Sequence, residues 1–506
     1  MAALVPDRSL LPLAGIAFAK LALHLATARG YGLFRDEFYY LASTNHLAWG
    51  YVEHPPLSIA LLGLSRALLG DSLIATRFLP ALAGAATVFI AGLIVRELGG
   101  GRRAELLAAL AVLIMPTYLA MGHFFSMNGF DIFFWAALSW IAVRALLHDR
   151  SRSWLGFGVL AGIGLMNKVS VGFLAFGLSV GLVLTSQRSH LLRPWLWLGG
   201  IIALLIFLPH LVWQVQYDWP TLEFQANARA EKNLPVSAFD FAGEQVLMAN
   251  PVTLPLWLAG LGGLLFSRRF ARLRPLGFVY PILFVLFATQ AGKTYYLTPS
   301  YTLLFAAGAV VVEPALAWRR WVAPTLATSF VIAGMAILPI AVPVLPPESL
   351  IAYTRGIGIT PPRFEKHEHG VLPQIFADMH GWQELIDTVE RVAASLPAGE
   401  RRRAVVLATN YGEAGALDVL GPARGLPPVV SGHNSYWLWP PESLDGPVIA
   451  LRRSREELEP WFESVERVDT IQCRWCMPYQ NDSPVHVVRG LKLPLEEFWL
   501  DIKRFM

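Results

Sequence analysis

Apolar positions in this chain gather into runs of bilayer length, and the polar positions between them are short and rich in arginine. Residues 79–95, 194–213 and 321–345 each contain no Asp, Glu, Lys or Arg, and a spanning helix needs roughly 17 to 25 such residues. Read this way, the pattern predicts about eleven crossings, at residues 10–28, 74–94, 104–120, 131–145, 154–166, 171–184, 194–213, 251–265, 275–288, 297–312 and 321–345. The segments 154–166 and 171–184 are short for full spans and are read either as extending further or as a re-entrant pair. Residues 10–28 show no small-residue cleavage pattern before Tyr31 and are read as a retained span.

From about Glu348 the pattern changes. Charges return, and short β-branched runs alternate with helical periodicity. Strands are predicted at residues 404–409, 447–451, 468–471 and 485–488, with helices at 413–420 and 454–463. The expected architecture is therefore a polytopic α-helical membrane domain over residues 1–345, followed by a small exported α/β domain over 346–506. Cys473 and Cys476 are the only cysteines of the chain. In an exported domain a local disulfide is the first reading; a redox-active pair or a zinc site is the alternative, each lacking part of its expected context.

Composition supports the membrane assignment. Hydrophobic residues make up 55% and charged residues 15% of the 506, against about a quarter charged in soluble proteins, and the mean hydropathy is +0.47. The net charge of +4 does not point to nucleic acid, because the basic residues cluster in short loops at 96–103, 144–152, 188–193, 268–274 and 319–320. The positive-inside rule puts all five in the cytoplasm. Residues 31–70, 121–130, 214–250 and 290–296, the turn 167–170 and the tail then lie outside, as expected for a bacterial inner-membrane protein facing the periplasm or exterior.

The chemistry-bearing residues fall in or beside those outer segments. Asp36 and Glu37 follow the first span among Arg35, Tyr39 and Tyr40; as helix-start acids they would also suit the dipole. Glu53 and His54 precede Pro55-Pro56 and an amphipathic run, Leu57–Leu69, predicted to be a helix at the membrane surface. Glu53 is a candidate ligand for a divalent metal, although two neighbours make an incomplete site. Asp131 sits at the edge of a span. Lys168 and Lys293, the latter beside Tyr295 and Tyr296, occupy outer span ends against the positive-inside trend; they either snorkel or bind an anion. His433 and Trp437 mark a polar-aromatic stretch of the tail. Carboxylates for proton transfer, cations for phosphate and aromatics for sugar faces suit transfer of a sugar from a lipid phosphate. No P-loop or dinucleotide motif is present.

Several of these stretches together resemble bacterial members of glycosyltransferase family 39, relatives of the dolichyl-phosphate-mannose protein mannosyltransferases and the lipid A aminoarabinose transferases, with the GT-C membrane fold. The matching features are the Asp36-Glu37 pair, YVEHPP at 51–56, SMNGFD at 126–131, GKTYYLTP at 292–299, YGEAGA at 411–416, SGHNSYWLW at 431–439 and CRWCMP at 473–478. The resemblance implies that Asp36 is the base taking the acceptor's proton, Glu37 shapes the site, and Asp131 is the second acid, with Asn128 a competing alignment. The residue types themselves suit donor-phosphate contacts from Arg35, His54, Lys168, Lys293 and Tyr295, and sugar or acceptor contacts from Tyr39, Tyr40, His433 and Trp437. His54 stands where the aminoarabinose transferases carry lysine, which weakens it as a phosphate partner. The implied reaction is an inverting displacement from a polyprenyl-phosphate sugar onto a hydroxyl of a lipid, glycan or protein. The competing class is a transporter or lipid-carrier flippase, favoured only by Lys20 and His24 inside the first span.

Overall fold

The computed structural model describes residues 9–232, 236–290, 292–358, 366, 368 and 370–506. The predicted cytoplasmic start at residues 1–8, residue 291 of the 290–296 connection, and parts of the 214–250 connection and of the tail lie outside these. The chain forms two compact units, one of Met1–Ala28, Ile74–Val212 and Pro235–Val344, the other of Arg29–Leu73, Trp213–Leu234 and Leu345–Met506.

The first unit is helical. Among the described residues, six helices are long and apolar enough to cross a bilayer: Leu73–Glu97, Met127–Leu147, Pro194–Gln216, Arg268–Thr289, Thr294–Trp318 and Val322–Ala341. Two bent pairs, Val171–Val183 with Ser186–Leu192 and Ala238–Ala249 with Pro251–Phe266, raise the number to eight if each is one span. Leu11–Thr27 and Ser153–Asn167 are shorter apolar helices. The chain is thus a multi-pass helical membrane protein, with fewer full-length spans than the eleven expected. One reason is visible at 104–120. Met115 adopts an extended ψ of 119° ahead of Pro116 and divides that stretch into Arg102–Ile114 and Pro116–Met121, as proline disfavours helical geometry in the residue before it. Helices Leu254–Phe266 and Tyr301–Trp318 pack backbone to backbone. A Cβ on Gly260 would lie 2.0 Å from the Leu304 carbonyl oxygen, and one on Gly308 2.0 Å from that of Leu256, the small-residue contact typical of membrane helices. Lys20 and His24 are fully buried in this unit, with the Lys20 ammonium 5.7 Å from the Tyr118 ring centre and His24 6.2 Å from His123.

The second unit contains a five-stranded sheet of order β2-β1-β3-β5-β4, with β1 Val405–Ala408, β2 Val429–Ser431, β3 Val448–Leu451, β4 Phe462–Ile471 and β5 Ser483–Leu491. β1 pairs in parallel with β2 and β3, while β5 runs antiparallel to β3 and β4. β1 and β3 are buried at every position, as strands covered on both faces must be. The helix expected at 454–463 shrinks to Arg455–Leu458. Pro460 stops it, and the residues from Phe462 join β4 instead. The expected strand at 468–471 is the C-terminal end of β4, and that at 485–488 the middle of β5. Helix Tyr411–Leu420 connects β1 to β2 and starts on Asn410, whose side-chain oxygen accepts the Gly412 and Glu413 amides at 3.0 and 3.1 Å. Cys473 and Cys476 form a disulfide.

Candidate active site

The acidic pair lies in the first turn of helix Arg35–Ser43, where the helix dipole favours negative charge. The two acids have different positions. Glu37 is fully buried and accepts the Phe34 amide at 2.8 Å, capping its own helix. Asp36 keeps 31% of its side-chain exposure. Its Oδ1 accepts the Tyr411 hydroxyl at 2.8 Å and lies 3.4 Å from Arg35 Nε. Arg35 in turn donates to the Tyr479 hydroxyl at 3.1 Å, pairs with buried Asp378 at 3.4 Å, and packs 5.5 Å from the Tyr411 ring centre. Tyr411 can approach this closely because helices Arg35–Ser43 and Tyr411–Leu420 cross at glycine. A Cβ on Gly415 would meet the Tyr39 amide nitrogen at 2.8 Å, and one on Gly412 the Arg35 side chain at 2.3 Å.

Glu53 lies behind this pair. Its Oε2 accepts the Tyr39 hydroxyl at 2.8 Å, and Oε1 accepts the side-chain amide of Asn434. Burial raises its pKa to about 7, against the downward pull of the Tyr39 and Asn434 hydrogen bonds. Both oxygens therefore already hold donors. Among the described residues no three His, Cys, Asp or Glu side chains converge as metal ligands, so the residues present do not fit the divalent cation considered for Glu53. Tyr39 is itself buried, its hydroxyl pushed well up by burial and by Glu53. His54 is buried, stacks on Tyr40 at 4.8 Å and directs Nδ1 to the Pro55 carbonyl at 2.9 Å.

The tail residues expected at a sugar or acceptor face inward. His433 stacks on Tyr411 at 5.1 Å, and its Nδ1 accepts the Tyr411 amide at 3.2 Å. Burial, with Lys232, Arg504 and Arg35 adding to it, holds its pKa well below the usual histidine range. Trp437 and Trp499 exchange indole-to-carbonyl hydrogen bonds of 2.8 Å, and Trp437 packs on the sheet core.

The remaining candidates form a separate set in the first unit. Asp131 is fully buried, accepts the Ser170 hydroxyl and pairs with Lys168 at 3.4 Å. Lys168 also donates to Asn128 Oδ1 at 2.8 Å and lies 5.7 and 5.4 Å from the ring centres of Tyr295 and Tyr296. Asn128 and Asp131, competing alignments in the sequence, thus both hold the same lysine. Lys293 precedes the 3-10 helix Thr294–Ser300 that carries those tyrosines. Sequence reasoning did not single out Tyr411, Tyr479, Asp378 or Asn434 as site residues. Tyr411 and Asn434 at least lie in the stretches that carried the resemblance, whereas Asp378 gave no signal.

Residues 53–213 match the family described as dolichyl-phosphate-mannose-protein mannosyltransferase. An undecaprenyl phosphate-alpha-4-amino-4-deoxy-L-arabinose arabinosyl transferase of Pseudomonas fluorescens is 28% identical over 174 residues, 32% of this chain and 24% of the relative. Its counterpart in Pseudomonas aeruginosa is 29% identical over 181 residues, 33% of this chain and 31% of the relative. The matched segments thus span a third or less of these relatives' length. Over the whole fold, ArnT from Cupriavidus metallidurans, solved bound to undecaprenyl phosphate, superimposes with a TM-score of 0.60 at 16% identity, covering 95% of this chain and 97% of that one. None of these likenesses supports a transporter. The chain is thus similar over residues 53–213 to dolichyl-phosphate-mannose-protein mannosyltransferases, similar in part to two aminoarabinose transferases, and shares its fold with ArnT.

Proposed function

We propose that the protein moves a sugar from a polyprenyl-phosphate carrier to a hydroxyl of a lipid, glycan or protein acceptor at the outer face of a bacterial inner membrane, with inversion at the anomeric carbon. The observation that carries this reading is the setting of Asp36, a partly exposed carboxylate oriented by Tyr411 and Arg35 within an otherwise buried polar cluster. In the reaction the acceptor oxygen attacks the anomeric carbon, its proton passes to Asp36, and the bond to the carrier phosphate breaks with the electron pair leaving on phosphate. Glu37 caps the helix that presents Asp36. Lys293 and Lys168, with Tyr295, are assigned to the donor phosphate, where cations stabilise the leaving charge. Asp131 holds Lys168 in place. His54 stacks on Tyr40 and holds that ring in place. The relatives named for undecaprenyl-phosphate aminoarabinose transfer support the donor class.

Counting Leu11–Thr27, Arg102–Ile114 and Ser153–Asn167 as crossings as well would support the reading of about eleven spans with Asp36 and the tail outside. Cysteines at two exposed positions test it. Ser443→Cys should react with an impermeant maleimide on intact cells, and Ser189→Cys only after permeabilisation; the opposite result would reverse the orientation. The reaction itself is tested by giving the purified protein a panel of labelled polyprenyl-phosphate sugars, of which at least one should be consumed.

A further inference from the structure

A cavity of about 240 Å³ opens in the second unit among His46, Tyr51, Trp213, Tyr217, Ser435 and Trp439. Aromatic rings line it together with Leu47, Ala48, Gly50 and Leu438. His46 stacks on Trp439 with centroids 4.0 Å apart and planes 12° apart, and Trp213 lies 4.9 Å from Tyr217. Ser435 contributes to the lining and also connects with the acidic cluster. Its hydroxyl accepts the Val52 amide at 3.0 Å, and its amide donates at 3.1 Å to the Tyr39 hydroxyl that bonds Glu53. Tyr39 lies 4.9 Å from Tyr411, the residue that orients Asp36.

Flat aromatic faces beside hydroxyl and imidazole groups suit a ligand with an apolar face and a polar rim. A sugar ring has that form, with C–H bonds on one face and hydroxyls around the edge. An isoprenoid chain would leave the His46 imidazole in the lining without a polar partner, and the volume is below the roughly 300 to 1,000 Å³ of pockets for larger ligands. We propose that this cavity is a subsite for a single sugar ring, linked to the catalytic base Asp36 through Ser435, Tyr39 and Tyr411. The inference rests on the transferase reading. The ring belongs either to the donor or to a glycan acceptor.

Ligand-observed saturation-transfer NMR on the full chain in detergent tests this, with methyl glycosides of mannose, glucose, galactose and N-acetylglucosamine as probes. At least one should bind. Trp439→Ala should weaken that binding about two- to tenfold, the range expected for one lost aromatic contact, and Trp439→Phe should retain most of it. His46→Ala, at an exposed position, serves if Trp439→Ala does not fold. Displacement of the glycoside by an undecaprenyl-phosphate sugar would identify the donor's ring, and its persistence the acceptor's. Failure of every glycoside to bind, or binding unchanged in both Trp439→Ala and His46→Ala, overturns the proposal. Glycoside binding by the Asp36→Asn variant separates the two readings, since it is measured without turnover and stands or falls apart from the transferase assignment.

Discussion

Asp36 and Asp131 are both aspartates beside a cation, yet their surroundings assign them different work. Asp131 is sealed in the helical unit, bonded by Ser170 and paired with Lys168. Asp36 belongs to the sheet-bearing unit, retains solvent access, and is held on one oxygen by a tyrosine. A carboxylate that must accept a proton from an incoming hydroxyl needs that access. One that is fully buried and paired anchors its partner, because removing either member strands a charge. Both acids were candidate catalytic residues in the sequence, and burial is what distinguishes them.

The largest expected effect falls on Asp36. Asp36→Asn should lower turnover by about 10²- to 10⁴-fold while the melting temperature in detergent stays near wild type. Asp131→Ala should do the reverse in kind, destabilising the fold by about 3 to 5 kcal/mol, the range for breaking a buried ion pair, seen as a lowered melting temperature. If Asp131→Ala melts like wild type and loses all turnover, the two roles are exchanged.

Glu53 sharpens the comparison from within the second unit. Its folded-state pKa of about 7 lies above the ordinary 4.5, so the native protein retains a proton that the unfolded chain has released between those values. This contribution is fully present below about pH 4.5, fades as pH rises towards 7, and totals at most about 3 kcal/mol. Wild-type melting temperature should therefore fall more steeply from pH 5 to pH 8 than that of Glu53→Gln. Parallel curves would remove the buried-acid assignment.

A smaller effect than at Asp36 is expected at Lys293. Lys293→Ala should weaken donor binding about ten- to a hundredfold, the loss of a charge-assisted contact, and Lys293→Arg should restore part of it. Unchanged affinity with a lowered melting point would make Lys293 a structural residue.

Much of this was legible in the sequence because it is local. Uncharged runs mark the helices, the Pro-Pro step starts Leu57–Leu69 where expected, and the β-branched run at Val405 forms a central strand. The acid pair could be recognised at a helix start for the same reason. What could not be read depends on contacts across long sequence separations. Tyr411 reaches Asp36 from 375 residues away, and Asn434 reaches Glu53 from 381. His433 and Trp437 were assigned to a ligand because polar and aromatic side chains serve binding and packing alike; the fold turns both inward. The break at Met115 was signalled by Pro116 but outweighed by the apolar run around it.

The most direct test pairs wild type with Asp36→Asn in a labelled-donor assay using the sugar that the wild type accepts. The account predicts that wild type moves the label from polyprenyl phosphate to a hydroxyl acceptor with inverted anomeric configuration, while Asp36→Asn binds the same donor and leaves it intact. Retained configuration in the product, or equal transfer by Asp36→Asn, would contradict it.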